Sequence, residues 1–337
     1  GDHEFAVRCV EGLLLAFDGT GRIPFSVDTI AGEWPDPYFR SGAWAWACYG
    51  LAYFLWKSTL PVDDALRVET EVMLALSLEK LHTDYAVTDI GNPAYGAIKG
   101  GRGLYSGDYS TFDPDYIIPW CSTEHNIDAF YAYELATRVL PAGAFATEIA
   151  NFTTYHGQIK DALLTTFWWT AQSRFYQGYN PGTETPDTAN ALDINSWGAI
   201  FLTFVGETAK ALSAVGQFWK FETSDLGIDG YRPYNDLGEG YVPEGPGVWA
   251  EGTFGVALAY SAVGMVDQAK AVYFDMMEAW DNTFGFLYST IRDFQYELAD
   301  WPSVCPLGWA QIAGDPMGFW GVDVTLASGN SYGNVMW

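Results

Sequence analysis

Apolar residues along this chain fall into helix-length blocks of two kinds. Blocks of the first kind are apolar nearly all round. Residues 39–57 (FRSGAWAWACYGLAYFLWK) are the clearest case, and a helix of this type buries itself on most sides. Blocks of the second kind carry one apolar stripe, as in 63–81, which follows Pro61 and opens on Asp63 and Asp64. A buried helix, a short turn and an amphipathic helix make a hairpin. The alternation returns in 121–140 with 144–169, and in 254–262 with 266–280. Residues 5–17, 191–215 and 304–313 read as further helices, the last two strongly apolar. Two long polar stretches, 83–118 and 223–247, read as loops rich in Gly and Asp. Loops of this length inside a compact protein usually carry function. No β-branched run alternates with the helices, so the pattern gives no parallel sheet.

Four apolar helices are preceded by a polar, Trp-bearing mouth: Trp120 with Glu124, Asp193 with Trp197, Trp249 with Glu251, and Asp300 with Trp301. Their spacing of about 50–70 residues is too irregular for a fixed-period solenoid. Buried helices with amphipathic partners suggest concentric rings, an all-α toroid of helical hairpins of the (α/α)6 type or an incomplete version of it. The buried helices then begin near residues 40, 122, 193, 250 and 303, and their mouths line one funnel. The densest mouth is Trp120-Cys121-Ser122-Thr123-Glu124-His125-Asn126-Ile127-Asp128. Ser122 or Thr123 suits an N-cap, because a hydroxyl there accepts from a free first-turn N–H. Glu124 and Asp128, four apart, point to one helix face.

Composition narrows the function. The chain has 337 residues and a net charge of −26, from 42 acidic against 16 basic residues. So acidic a surface argues against nucleic-acid and anionic-membrane partners and against a polyanionic substrate. No apolar run reaches the length of a membrane span. Fifteen Trp, 21 Tyr and 21 Phe exceed what one core needs. Surplus aromatic rings suit a sugar-binding cleft, although many will be ordinary packing. Four cysteines, Cys9, Cys48, Cys121 and Cys305, form no C-x-x-C pair. They leave room for one or two disulfides, or for buried thiols. Acidity with little Lys fits a secreted protein or one from salty water, and a secreted, periplasmic or cell-surface location is the expectation.

The chain resembles the six-hairpin glycosidase superfamily, and within it a group of bacterial exported proteins of carbohydrate-related function. The resemblance rests on Arg40-Ser41-Gly42-Ala43-Trp44, Ser122-Thr123-Glu124-His125-Asn126-Ile127-Asp128, Ala191-Leu192-Asp193, Trp249-Ala250-Glu251-Gly252-Thr253, Tyr288-Ser289-Thr290 and Trp301-Pro302-Ser303. It spans about residues 5–316 and departs from the family pattern at both ends. It implies one toroid domain, 1–316, followed by a separate tail, 317–337, that is strand-like and serves as closure, linker or assembly segment. Carbohydrate is the implied partner, with no cofactor.

Glycoside hydrolysis needs two carboxyl groups across a sugar cleft, one protonated as acid and one ionised as base or nucleophile. Glu124 and Glu251 form the leading pair, with Asp193 and Asp128 next. Opposed mouths leave room for a water, so inversion is the expected outcome. Trp34, Asp36, Arg40, Trp120, His125, Trp197, Trp249 and Trp301 are the candidate substrate-binding residues. Each also has a plain structural reading. An acid can simply complement a helix N-terminus, and a Trp can be wall. Two other classes compete with hydrolysis. Cys121, His125 and Cys305 could hold zinc, as in other helical toroids. A non-catalytic glycan-binding or assembling subunit, self-associating through the tail, is the other. Asp108, Asp113 and Asp115 lack the spacing of a calcium loop and read as a solvated acidic stretch.

Overall fold

A computed structural model of the chain describes residues 2–26, 38–107, 110–235, 245, 247–279, 285–292 and 298–326. The chain forms two compact units, Gly1–Phe167 with Gly178–Asp187, and Trp168–Gln177 with Thr188–Trp337.

The first unit holds α1 (Asp2–Ala16), α2 (Ser41–Lys57), α3 (Ala65–Tyr85), α4 (Thr123–Val139) and α5 (Ala142–Ala162). Helices α2 and α4 pack on each other and form its centre, while α3 lies on α2 and α5 on α4. Most of the apolarity of α2 is used: Trp44, Ala45, Cys48, Leu51 and Ala52 are shut off from solvent, while Trp56 stays 44% exposed. Asp64 caps α3 by accepting from the N–H groups of Leu66 and Arg67, and Ser122 caps α4 by accepting from that of His125. Each satisfies first-turn donors that have no intrahelical acceptor.

The second unit holds α6 (Leu192–Phe204), α7 (Thr208–Val215), α8 (Ala250–Ala262), α9 (Val266–Met277) and α10 (Val304–Gly314). Helix α8 packs between α6 and α10, with α7 outside α6 and α9 outside α8. The helix expected over 191–215 is therefore two. Gly206 has φ 85°, and the N–H groups of Gly206 and Glu207 turn back to the carbonyls of Thr203 and Leu202. The same pair of bonds ends α8, from Gly264 (φ 81°) and Met265 to Ser261 and Tyr260. A left-handed residue closing two such bonds is a helix stop that glycine adopts without a Cβ penalty. Continuous apolarity across 191–215 concealed it.

Short antiparallel strands stitch the helix starts together. The stretch expected as a loop over 83–118 contains paired strands Gly101–Tyr105 and Phe112–Ile118, with Phe39–Arg40 on the free side of the first. In the second unit Ala191 bridges Tyr234, Trp249 bridges Ser289 and Leu287 bridges Pro302. Strands Glu222–Asp225 and Ile228–Tyr231 occupy part of the expected 223–247 loop. The tail is not strand-like over 317–326. Phe319–Gly321 is a 3-10 turn, and the Leu326 N–H donates to the Gly314 carbonyl at 2.7 Å, which brings the segment back to the end of α10. Residues 327–337 lie outside the described residues. All four cysteines are free thiols, so the disulfide alternative does not hold. Among the described residues no helix is long and apolar enough to cross a membrane.

Candidate active site

The second residue of each central helix looks into its mouth. In chain order these are Gly42 in α2, Glu124 in α4, Asp193 in α6, Glu251 in α8 and Cys305 in α10. Where that residue is acidic, the residue two positions on is a polar clamp. Asn126 donates to the Ser122 carbonyl at 2.7 Å, Asn195 to the Ala191 carbonyl at 2.8 Å and Thr253 to the Trp249 carbonyl at 2.8 Å. Asn126 and Thr253 also take the backbone N–H of a neighbouring segment, from Ile98 at 2.7 Å and Tyr231 at 3.1 Å. The acids thus sit on helix starts whose backbones are fixed from two directions.

In the second unit the mouths of α6, α8 and α10 are joined in series. Leu192 donates to Pro233, Trp249 to Tyr231, Ala250 to Tyr288, and Tyr288 to Trp301 through backbone bonds of 2.8–3.1 Å. This brings four groups to Glu251. The Cys305 thiol, the Trp309 indole and the Tyr288 hydroxyl favour its charged form, and the charge of Asp193 disfavours it. Glu251 keeps a partial opening to solvent, yet burial, chiefly, pushes its carboxyl up to about 7, with Asp193 adding to the rise and the three donors opposing it. Low-dielectric surroundings disfavour the charged carboxylate, and a nearby like charge does the same.

Trp309 is 4% exposed and stacks flat on Trp197, which is 2% exposed (ring centroids 5.2 Å apart, planes at 9°). Trp197 is therefore floor beneath the site, with no face open to a ligand. Trp249 is likewise buried, its ring over Gly252, where a Cβ would come within 2.2 Å of it. Trp301 is 54% exposed beside the Arg292 guanidinium, 5.2 Å from its ring centre, and its carbonyl holds the Tyr288 backbone.

In the first unit, Glu124 and His125 are both half-buried at the start of α4. The His125 Nδ1 lies 3.3 Å from the Ser41 hydroxyl, and its ring lies over Gly42, where a Cβ would approach to 2.3 Å. Burial first, and then the positive charge of Arg40, lowers His125 to about 4, so the ring is neutral near pH 7. The Arg40 guanidinium stacks on Tyr38 at 3.3 Å. Trp120, 43% exposed, faces the imidazole at 5.9 Å. Asp128 is 2% exposed, one turn below Glu124 and within the packing of α4. Trp34 and Asp36 lie outside the described residues.

Among the described residues no group of three or more His, Cys, Asp or Glu is arranged to hold a metal ion. Burial raises the Cys121 thiol to about 12, so with no cation beside it the thiol stays protonated.

The sequence reading found Glu251 and Asp193 but not Tyr288, Cys305 or Trp309 as their neighbours. Cys305 was visible only as a thiol. Its position as second residue of a central helix, shared with three acids, is the signal that could have placed it.

No protein-family model matches the chain, and no curated protein matches it in sequence. Solved structures do match in fold. A GH63 mannosylglycerate hydrolase from Thermus thermophilus, in complex with Tris and D-glycerate, aligns over 91% of this chain and 88% of its own at 12% identity and TM-score 0.60. An α-amylase from Clostridium perfringens aligns over 93% and 82% at 11% identity and TM-score 0.56. A D-mannose isomerase aligns over 84% and 72% at 14% identity and TM-score 0.53. All three are helical toroid folds. The chain has that fold. At these identities the likeness speaks for the fold alone, and chemistry must be argued from the residues.

Proposed function

We propose that this protein is a carbohydrate-active enzyme, a glycoside hydrolase in which Glu251 is the general acid and Asp193 the general base. The observation that carries the reading is the Glu251 carboxyl, raised to about 7 at a helix mouth and held by three donors beside a second carboxylate. A glycosidic oxygen leaves only if it is protonated as the bond breaks, so the acid must hold its proton at working pH. Burial and the Asp193 charge keep that proton on Glu251. Once it is given away, the Cys305, Trp309 and Tyr288 donors stabilise the carboxylate left behind. The charge of Asp193 raises the Glu251 carboxyl further. Opposed helix mouths leave room for a water between two carboxyls, and inversion is the outcome we expect. In the second unit the exposed ring of Trp301 supplies a sugar-binding surface. The net charge of −26 favours a neutral oligosaccharide over a polyanionic one.

The test is a panel of neutral oligosaccharides and aryl glycosides, followed by proton NMR of the first anomer released. New reducing ends, lost in Glu251→Gln and Asp193→Asn, are the expected result. The panel includes free mannose, because one similar fold is a D-mannose isomerase. Ketose formed without new reducing ends would replace hydrolysis by isomerisation. Sugar binding by wild-type protein without turnover would replace it by a glycan-binding role.

A further inference from the structure

Helix α2 is apolar on almost every side, and α3 and α4 pack on two of them. Toward α1 the covering is incomplete. There α1 presents Ala6, Cys9, Val10 and Leu13, and α2 presents Gly50, Tyr53, Phe54 and Lys57. Both sets fall at i, i+3, i+4 and i+7, so each is a single helix face. Between the two faces lies a cavity of about 460 Å³, open to solvent, within the roughly 300–1,000 Å³ of small-ligand sites. Val10 and Phe54 are buried and form its floor. Gly50 leaves the room, since a Cβ there would meet nothing within 4 Å. The groove begins eight residues along α2 from Gly42, about 12 Å of helix, and is therefore separate from the mouth of that helix.

The charge around the groove is one-sided. Lys57 and His3 line it, and among the described residues no Asp or Glu does. In a chain with 42 acidic and 16 basic residues, a lining with bases alone runs against the composition. The Lys57 ammonium lies 3.5 Å from the Trp56 ring centre and 5.6 Å from that of Tyr53. It has no carboxylate partner among the described residues. The rings steady the ammonium without neutralising it.

We propose that this groove binds a fatty-acid anion, with the acyl chain along the apolar floor and the carboxylate on Lys57. An acyl chain needs no hydrogen bonds, which suits a floor of Val10, Phe54 and the bare Gly50. A carboxylate supplies the opposite charge that Lys57 lacks. The site belongs to the first unit and does not rest on the hydrolase reading.

The experiment uses the full chain, with the Cys9 thiol as reporter. Cys9 is exposed and lines the groove, whereas Cys48 and Cys121 are buried. Cys305, half-buried in the second unit, is the internal control. Alkylation by iodoacetamide is followed by mass spectrometry of the Cys9 and Cys305 peptides. Laurate or 1-dodecanol is present below the concentration at which it aggregates, and calorimetry supplies the Kd of each. At ten times its Kd, laurate should slow Cys9 about tenfold, because the thiol reacts only while the ligand is away, and should leave Cys305 unchanged. Gly50→Leu fills the groove with a better helix former and should abolish the protection. Lys57→Met keeps the stem, and at low salt should weaken laurate about threefold while leaving 1-dodecanol unchanged. Absence of protection in the wild type, equal slowing at Cys305, or protection that survives Gly50→Leu overturns the proposal. So does equal weakening of both ligands, or of neither, in Lys57→Met. A Cys9 that reacts slowly in the free protein and speeds up on dilution would place a second copy on this face and overturn it too. The wild-type measurement stands without any variant, so a substitution that fails to fold leaves the proposal decidable. Inactivity toward every glycoside would sink the hydrolase reading and leave this one to the alkylation rates.

Discussion

At the start of α4 the second and fourth residues are Glu124 and Asn126, and at the start of α8 they are Glu251 and Thr253. In both, the fourth residue bonds back to the carbonyl of the capping residue and accepts an N–H from a neighbouring segment. The backbone scaffolds therefore match, and the chemistry above them does not. Helix α4 has a hydroxyl cap and shares its mouth with Gly42, whose missing side chain makes room for the His125 ring. Helix α8 has no side-chain cap, and shares its mouth with Cys305 and Asp193, which act directly on Glu251. One mouth encloses a base stripped of its proton, lowered to about 4. The other encloses an acid that keeps its proton to about 7. Burial is the leading cause in both, because it favours whichever form is neutral. The same fold device thus yields a neutral imidazole suited to hydrogen-bonding a hydroxyl and a neutral carboxyl suited to giving a proton away.

The largest expected effect tests whether that division is functional. Glu251→Gln keeps the shape and removes the proton donor, and should lower kcat by about 10²–10⁴-fold. Glu124→Gln should leave kcat close to that of wild type. Steady-state kinetics on the best substrate of the panel separate the two. Equal losses in kcat would place proton transfer in the first unit as well and break the comparison.

Next in size is the pH dependence of stability, where the two mouths should oppose each other. The folded pKa of Glu251 is raised, so its contribution is complete below the unfolded value of about 4.5 and is lost as pH rises to about 7. The folded pKa of His125 is depressed, so its contribution is complete above about 6.5 and is lost as pH falls to about 4. Each is worth up to about 3 kcal/mol. Urea unfolding from pH 4 to 8 should show Glu251→Gln flattening the fall toward neutral pH. His125→Gln should flatten the fall toward acid by part of its extent, because burial also lowers His82 to about 4. A Glu251→Gln profile parallel to wild type would mean that Glu251 titrates like a surface acid.

Helix bodies were legible in the sequence because burial and period are local properties. The apolar run expected as a helix over 39–57 is one from Ser41 on, its first two residues pairing as a strand. The strands over 101–105 and 112–118 were hidden because Gly, Asp and Pro interrupt them, and the bulge near Gly103 (φ 97°) breaks any alternation. The carboxylates Asp193 and Glu251 could be read from their places at helix starts. Their recurrence with Glu124 at the second helical residue was present but masked, since Trp120 precedes Glu124 by four residues and Trp249 precedes Glu251 by two. Aligning mouths on tryptophan shifted the register. Tyr288, Cys305 and Trp309 converge on Glu251 from positions 37 or more residues away, and no periodicity carries such a distance.

A smaller effect separates the clamps. Asn126 makes three buried hydrogen bonds, two to Ile98 and one to Ser122, so Asn126→Ala leaves backbone groups unpaired at a cost of about 2–3 kcal/mol. Thr253 makes one bond to Tyr231 and one to Trp249, and Thr253→Val should cost about 1–2 kcal/mol. Denaturant midpoints with unchanged slope would measure both. A larger loss at Thr253 would mean that the α8 mouth depends on its clamp more than the α4 mouth does.

The smallest expected effect compares one neutral donor from each mouth. Ser41 and Cys305 belong to the first turns of α2 and α10, and each bonds the titrating group of the helix beside it. With its own proton on Nε2, a neutral His125 takes the Ser41 hydroxyl proton at Nδ1. The protonated ring carries a hydrogen on Nδ1, and the hydroxyl must turn to accept it; a bond that favours the neutral ring means that Ser41→Ala raises the His125 midpoint, by about half a unit. The Cys305 thiol bonds the carboxylate, and Cys305→Ala should raise the Glu251 midpoint by a similar amount, about half a unit. Both midpoints move upward for opposite reasons: one mouth loses support for its neutral form, the other for its charged form. Stability follows the same distinction. Near pH 8 Ser41→Ala weakens the form that is populated, and so does Cys305→Ala, by about 1 kcal/mol or less in each case. Near pH 5 Glu251 already holds its proton, and the Cys305→Ala cost should shrink. Nitrogen-15 shifts of His125, carbon-13 shifts of Glu251 and urea midpoints at the two pH values read all of this. A Cys305→Ala cost that is the same at pH 5 and pH 8 would show that the thiol packs against Glu251 without supporting its charge.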